Sequence, residues 1–359
     1  MGTDKNAKNK KRLSSFAINN IKCYGIVLLA FAILYPMQMM GMLSFSLKGQ
    51  LVPICTYVVM AISLNLTVGY LGELSLGHAG FMSVGAFSGV IAATMLSSGI
   101  PVPEVRLLIS VIIGGIFAGI AGFVIGIPVL RLRGDYLAIV TLAFGEIIKN
   151  ILNCMYVGFD AAGLHFSMKN AESLNLMNGT KGIILNGPQG ASHIAKIATF
   201  PAAIILVLFA LFVVLNLVNS KNGRAISAIR TNRIAAESVG IGVTRYKLTA
   251  FIISAAIAGM AGAMYAQNLS SVNASKFDFN LSILILVFVV LGGMKNIFGS
   301  IIATALLYML PEVLRGIANY RMLVYAVILI VVMLLTNNEK VRGFFDNIKA
   351  RLKGKRRRS

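Results

Sequence analysis

Charge is scarce in this chain of 359 residues. Only 13% are Asp, Glu, Lys or Arg, and 12 are acidic, against roughly 25% charged in a soluble domain. That shortage excludes a large water-facing surface. The three cysteines, Cys23, Cys55 and Cys154, lie in or beside apolar runs without paired or metal-ligand spacing. They indicate neither a disulfide framework nor a zinc site, and are expected as small buried apolar residues. The three histidines, His78, His165 and His193, are far apart, and no His/Glu metal motif or nucleophile elbow is present. The single Gly-Lys pair, Gly354-Lys355, is followed by Arg356, so the phosphate loop Gly-x-x-x-x-Gly-Lys-Ser/Thr is missing and the chain cannot hydrolyse ATP by that route. No catalytic residue, metal or cofactor is expected.

What is abundant is apolar sequence, 57% of residues with a mean hydropathy of +0.81. A bilayer crossing takes roughly 20 mostly apolar residues, and the chain offers such runs at Ile21 to Leu43, Leu51 to Tyr70, Gly80 to Leu96, Val105 to Leu130, Tyr136 to Met155, Thr199 to Val218, Leu248 to Gln267, Phe279 to Leu291, Ile297 to Leu310 and Arg321 to Leu335. The expected fold is an all-α polytopic membrane protein of about ten transmembrane helices. Glycine-broken sequence at Gly77 to Gly85 and Gly292 to Ile297 leaves an alternative, eight full spans plus re-entrant half-helices. The first run is long for a signal peptide and lacks a small-residue cleavage site, so it reads as a retained helix.

The formal charge of +21 is clustered. Lys5 to Lys22 and Lys340 to Arg358 are basic tails, and Lys221, Arg224, Arg230, Arg233, Arg245 and Lys247 lie between two apolar runs. Basic residues beside spans stay on the cytoplasmic side. The reading is a tail at residues 1–20, a transmembrane domain at 21–336 with an external segment at 156–198 and a cytoplasmic loop at 219–247, and a second cytoplasmic tail at 337–359. The tails suit membrane lipid headgroups rather than nucleic acid.

Local signals refine this map. Asp135 and Thr244 are candidate helix caps, Gly240 a left-handed stop after a short helix at Ile234 to Val239, and Asn186-Gly187-Pro188-Gln189-Gly190 a tight turn. Ala118-Gly119-Ile120-Ala121-Gly122 and Ala258-Gly259-Met260-Ala261-Gly262 share a small-small-x-small-small pattern. Gly119, Gly122, Gly259 and Gly262 are thus expected at packing seams, and an inverted repeat is a second reading. Glu146, Lys149, Asn150 and Asn153 stand at i, i+3, i+4 and i+7 on one face of the fifth helix. A stripe of this kind is costly against lipid and is expected to face water or other helices.

The runs RLRGDYLAIVTLAFGEI (Arg131 to Ile147), LNLTVGYLGELSLGHAGFMSVGA (Leu64 to Ala86), GRAISAIRTNRIAAESVGIGVTRYKLTAFIISA (Gly223 to Ala255) and VLGGMKNIFGS (Val290 to Ser300) resemble the M-type membrane permease subunit of bacterial branched-chain amino acid ABC importers. The resemblance covers most of the chain except the basic tails. It implies import through the bacterial inner membrane beside a homologous second permease subunit, two ATP-binding subunits and an extracytoplasmic substrate-binding protein. It also implies that the Glu-Ala-Ala-x-x-x-Gly coupling loop falls on Ala235, Ala236 and Gly240, with Ile234 at the glutamate position and the acidic residue moved to Glu237. Asn65, Glu73, Ser75 and His78, together with the stripe from Glu146 to Asn153, are the candidates for the translocation path. A urea or short-amide permease and an ion-coupled secondary transporter are the competing readings.

The orientation is testable in intact cells with single cysteines in a cysteine-free background. Cysteines at Ser14, Asn222 and Ser359 should resist a membrane-impermeant thiol reagent, while one at Asn178 reacts; labelling of Asn222 from outside would break the map.

Overall fold

The computed structural model describes residues 3–97, 99–132, 134–160, 163–169, 174, 182–314, 323–324, 326–327 and 329–331, with side chains from residue 20 onward. Among these, eight helices are long and apolar enough to cross a membrane, and Ile297–Val313 is a shorter apolar helix. The expected span from Arg321 to Leu335 lies mostly outside the described residues, as do the C-terminal tail and Asn178.

The chain begins with α1 (Thr3–Met39) and α2 (Phe45–Leu64), whose first turn is capped by the Ser44 hydroxyl accepting from the Leu47 amide. Without a break α2 widens into a π-helical turn over Asn65–Leu71, ended by Gly72 at φ +80°. Residues 72–77 are non-helical, and α3 (His78–Met95) follows, running unbroken through Gly80 and Gly85. Next come α4 (Pro103–Val129), α5 (Asp135–Cys154), strands β1 (Tyr156–Asp160), β2 (Gly163–Ser167) and β3 (Ile183–Asn186), α6 (Phe200–Asn219), α7 (Lys221–Thr231), α8 (Arg233–Ser238), α9 (Val243–Ala266), α10 (Phe279–Gly292) and α11 (Ile297–Val313).

The centre of the bundle is a seam of α3, α4 and α9 in which glycine and alanine bring backbones together. Gly114 faces Ala263, Gly122 faces Ala255 and Gly126 faces Leu248, so residue numbers fall along α9 as they rise along α4, and the two helices are antiparallel. On α3, Gly85 meets Gly259 and Gly89 meets Ala263. Where lipid is as apolar as the side chains, such close approach is a main source of helix association. At one end of the seam the buried Gln267 donates to Ser110 at 2.6 Å, tying α9 to α4.

The two ends of the bundle differ. At the C-terminus of α5 and the N-terminus of α6 sits an antiparallel sheet of order β2-β1-β3, linked through the Ala191–Val272 bridge to the segment after α9. The opposite end carries α7, α8 and the basic residues, about 30 Å away along the 20-residue α6. A first compact unit covers residues 1–304; residues 305–359 form a second, in which the described residues 323–324, 326–327 and 329–331 are helical.

Several sequence expectations change. Residues 156–160, 163–167 and 183–186, within the segment read as external, form a sheet that the sequence reading did not include, with Val157 and Leu185 fully buried. Neither Asp135 nor Thr244 caps a helix: Gly134 and Gly242 hold those positions without side-chain bonds, because the helices start one and two residues earlier, respectively, than those caps would require. Cys154 is exposed, unlike Cys23 and Cys55, since it ends the peripheral α5. Gly240 at φ +81° does follow α8, and Gly187–Gln189 forms a 3₁₀ turn, with Asn186 Nδ2 donating to Gln189 at 2.9 Å.

The seam glycines are not equivalent. A Cβ on Gly119 meets Ala256 at 3.4 Å and Ile252 at 4.0 Å, nearly ordinary contact, whereas on Gly259 it overlaps Ala118 and on Gly262 the Met82 carbonyl. Gly119→Ala should leave the thermal midpoint of the detergent-solubilised protein nearly unchanged. Gly259→Ala and Gly262→Ala should each destabilise by about 1–3 kcal/mol through overpacking; equal effects at all three positions would remove backbone approach as the cause.

Candidate functional site

Residues 72–77 lie inside the bundle rather than at its edge. The Leu76 amide donates to Thr141 Oγ1 at 3.1 Å, roughly two turns into α5, and the Ala79 amide to Ser282 Oγ at 3.0 Å on α10. His78 and Ser63 share a 2.6 Å hydrogen bond, and Ser254 on α9 donates to the Ser63 carbonyl at 2.6 Å. The chain thus descends through the π turn, reverses at Gly72 and climbs back before α3 begins. Non-helical backbone at membrane depth persists only where protein satisfies it or a polar cavity borders it. Here hydroxyls from two other helices do the former, while Gly72 and Leu74 remain exposed.

Beside this break is a cavity of about 10 Å³, bordered by Leu76, Gly80, Gly145, Glu146, Asp278 and Ser282. That is room for about one water, so this conformation is closed to anything larger. Close packing forms its wall, since a Cβ on Gly77 or Gly80 would strike the backbone of Thr141 or Gly145. Glu146 pairs with Lys149, and on the same face of α5 Asn153 is partly exposed and Asn150 exposed. The stripe therefore borders the cavity at one end and an uncovered face along the rest.

A second group gathers at the basic end. The Arg230 guanidinium, in the last turn of α7, donates to the carbonyl of Gly69 in the π turn, and its stem lies where a Cβ on Gly72 would fall. Ile226 of α7 packs with Leu66, Leu71 and Ala250 in one apolar cluster. Asn65 accepts from the Lys295 amide at 3.1 Å and donates to Ser300 at 2.7 Å, and Tyr70 donates to the Lys295 carbonyl at 2.9 Å. Partial burial, helped by the nearby Arg230 charge, holds the Lys295 ammonium below its ordinary pKa. The Lys247 ammonium, buried in the second turn of α9, pairs with Glu73; a cation near a helix N-terminus opposes the dipole, which gives the carboxylate its purpose there.

After α7, Asn232 caps α8 by accepting from the Ala235 amide at 3.1 Å. Ala236 is buried with Ile229 and Val243, so it faces this chain's own interior. The outward face of α8 presents Ile234, 79% exposed, and Val239 just beyond it, 73% exposed, with Ala235 between them in sequence. Glu237 is spent on Arg233 at 2.9 Å within the helix.

The residues singled out from sequence fall into separate groups. Asn65, Glu73 and His78 lie inside the molecule on protein partners, and the buried Ser75 hydroxyl has no hydrogen-bond partner among the described residues. Glu146, Lys149, Asn150 and Asn153 stand together on α5. Sequence reasoning missed Thr141, Ser282 and Arg230, whose significance depends on a backbone break at depth; the glycines flanking that break were the available signal.

Residues 46–334 match the family described as branched-chain amino acid transport system / permease component. The chain is 35% identical over 291 residues to the high-affinity branched-chain amino acid transport system permease protein LivM of Salmonella typhimurium, covering 77% of this chain and 66% of that protein. It is 34% identical to the protein of the same description from Escherichia coli, with 87% and 73% covered, and 26% identical to a probable branched-chain amino acid transport permease protein of Methanocaldococcus jannaschii, with 74% and 79% covered. No solved structure matches.

The buried ion pair is open to a direct test. Glu73→Gln leaves the Lys247 ammonium buried and unpaired, which costs about 3–5 kcal/mol. Adding Lys247→Met should recover most of that loss in thermal unfolding of the solubilised protein. An equal loss in the double variant would show that the pair does not lock the break.

Proposed function

This chain belongs to the permease components of branched-chain amino acid transport systems, and we propose that it forms half of the translocation path of an ATP-driven importer for leucine, isoleucine and valine. Its place is the bacterial cytoplasmic membrane, with both termini and the α7–α8 loop in the cytoplasm. A homologous permease faces it, two ATP-binding subunits sit beneath, and an external binding protein delivers the substrate. The ATP-binding subunits supply hydrolysis.

The observation that carries this reading is the backbone break at membrane depth beside a polar stripe. A zwitterionic amino acid needs an acceptor for its ammonium and donors for its carboxylate. Glu146 supplies the first, while Asn150, Asn153 and the positive end of the α3 dipole supply the second. The closed cavity at Glu146 has to open for passage, and α5 must part from α3 and α10 for that to happen.

Motion reaches the break from below. The outward Ile234 and Val239 suit an apolar groove on a partner, and Arg230 carries displacement of that loop to the Gly69 carbonyl and so to the π turn. Proton or sodium coupling is disfavoured by relatives described as ABC transporter permeases.

The complex reconstituted in proteoliposomes tests the reading. Glu146→Gln should lower leucine uptake roughly tenfold, the value of one charge-assisted hydrogen bond, with assembly intact. Val239→Asp should leave the chain folded yet make ATP hydrolysis unresponsive to loaded binding protein. Normal uptake in both variants at normal assembly would remove the stripe and the loop from the mechanism.

A further inference from the structure

On the side of α5 away from the polar stripe, a crevice of about 560 Å³ opens between α3, α4, α5 and β2, within the ~300–1,000 Å³ range of small-molecule sites. Its walls include Val84, Phe87, Ile113, Phe117, Ile151 and Phe166. The one hydroxyl in the lining, Ser88, is bound back to the Val84 carbonyl at 2.7 Å. No group in the lining is charged. Ile148, Ile151, Leu152 and Met155 face it at i, i+3, i+4 and i+7, roughly opposite the face of Glu146 and Asn153 by helix geometry. The crevice is therefore separate from the proposed translocation path.

One polar group shares the stripe of α4 that lines the crevice. Arg106 precedes Ile113 by seven residues and Phe117 by eleven, which puts all three on one helix face, with Arg106 about 10 Å nearer the helix start. Helical side chains lean toward the N-terminus, so its guanidinium reaches for the rim. Its Nε is buried without a hydrogen-bond partner, and no acidic side chain pairs with Arg106 among the described residues. The side chain as a whole is partly exposed, and the planar fork of a guanidinium fits a phosphate.

We propose that this crevice holds one membrane phospholipid, an acyl chain lying between α3, α4 and α5 and the phosphate resting on Arg106 at the sheet end of the bundle. The dimensions decide against the amino-acid substrate, whose charges sit next to its side chain and cannot reach from Ile113 to a group about 10 Å away. A phospholipid carries an anionic phosphate at the end of a long apolar tail. The bilayer presents that molecule to the open side of the crevice.

The chain contains no tryptophan, so a single introduced indole reports on the site alone. Phe117→Trp places it in the crevice, and Phe212→Trp, on the exposed face of α6, is the control. Phosphatidylglycerol brominated on its acyl chains is titrated into the detergent-solubilised full chain. Fluorescence of the Phe117→Trp protein should fall at lipid concentrations about tenfold lower than the control requires. Adding Arg106→Gln should return it to the control curve, and brominated diacylglycerol, lacking phosphate, should follow the control curve from the start. Should Phe117→Trp fail to fold, Ile151→Trp carries the same titration. The proposal is overturned by matching curves for crevice and control, by indifference to Arg106→Gln, or by equal quenching from diacylglycerol. It is overturned too if assembly with the transport partners shields Phe117→Trp from bromolipid, because a protein surface would then fill the crevice.

Discussion

Every amide and carbonyl that leaves helical pairing inside a membrane must find a partner within the protein. Much of this molecule is arranged around that requirement at residues 72–77. The hydroxyl of Thr141 takes the Leu76 amide of the break and that of Ser282 the Ala79 amide just after it, Arg230 takes a carbonyl just before it, and Glu73 neutralises a lysine beside it. α5, α7, α9 and α10 each contribute one of these groups. A segment held by four separate helices records their relative positions, and no one of them can shift without releasing a bond at the break.

Small residues make the arrangement possible from the other direction. The glycine seam of α3, α4 and α9 is close-packed and apolar, and it gives α3 a rigid anchor along most of its length. Only the N-terminal turn of α3 leaves that seam to meet α5 and α10. The molecule thereby combines a glycine-packed seam with a hydroxyl-latched break, and the polar stripe of α5 begins beside that break.

Much of the fold was legible in the sequence because membrane spans announce themselves by length and apolarity, and the runs from Gly80, Val105, Tyr136, Thr199 and Phe279 agree with helices to within two residues. The stripe on α5 was legible because helical spacing puts Glu146, Lys149, Asn150 and Asn153 on one face wherever the helix lies. The sheet was not, since β1 reads Tyr-Val-Gly-Phe-Asp, too short and glycine-interrupted to show alternation. Nor was the inward turn of Ala236: in a helix of six residues only the partners, Ile229 and Val243, decide which side is in. The roles of Asn65 and His78 as internal struts likewise depend on Ser300 and Ser63, the former 235 residues away.

The π turn at Asn65–Leu71 has a kinematic consequence. Compared with an α-helix it holds one surplus residue per turn, and helical geometry offers no partial way of absorbing one. Rewinding it to α form, or passing the surplus along the chain, displaces the segment downstream by one residue, about 1.5 Å of travel and close to 100° of rotation. On the coupling proposed above, a pull at Gly69 would be taken up as one such discrete step, and the side chains beyond Gly72 would then be presented in a different direction altogether.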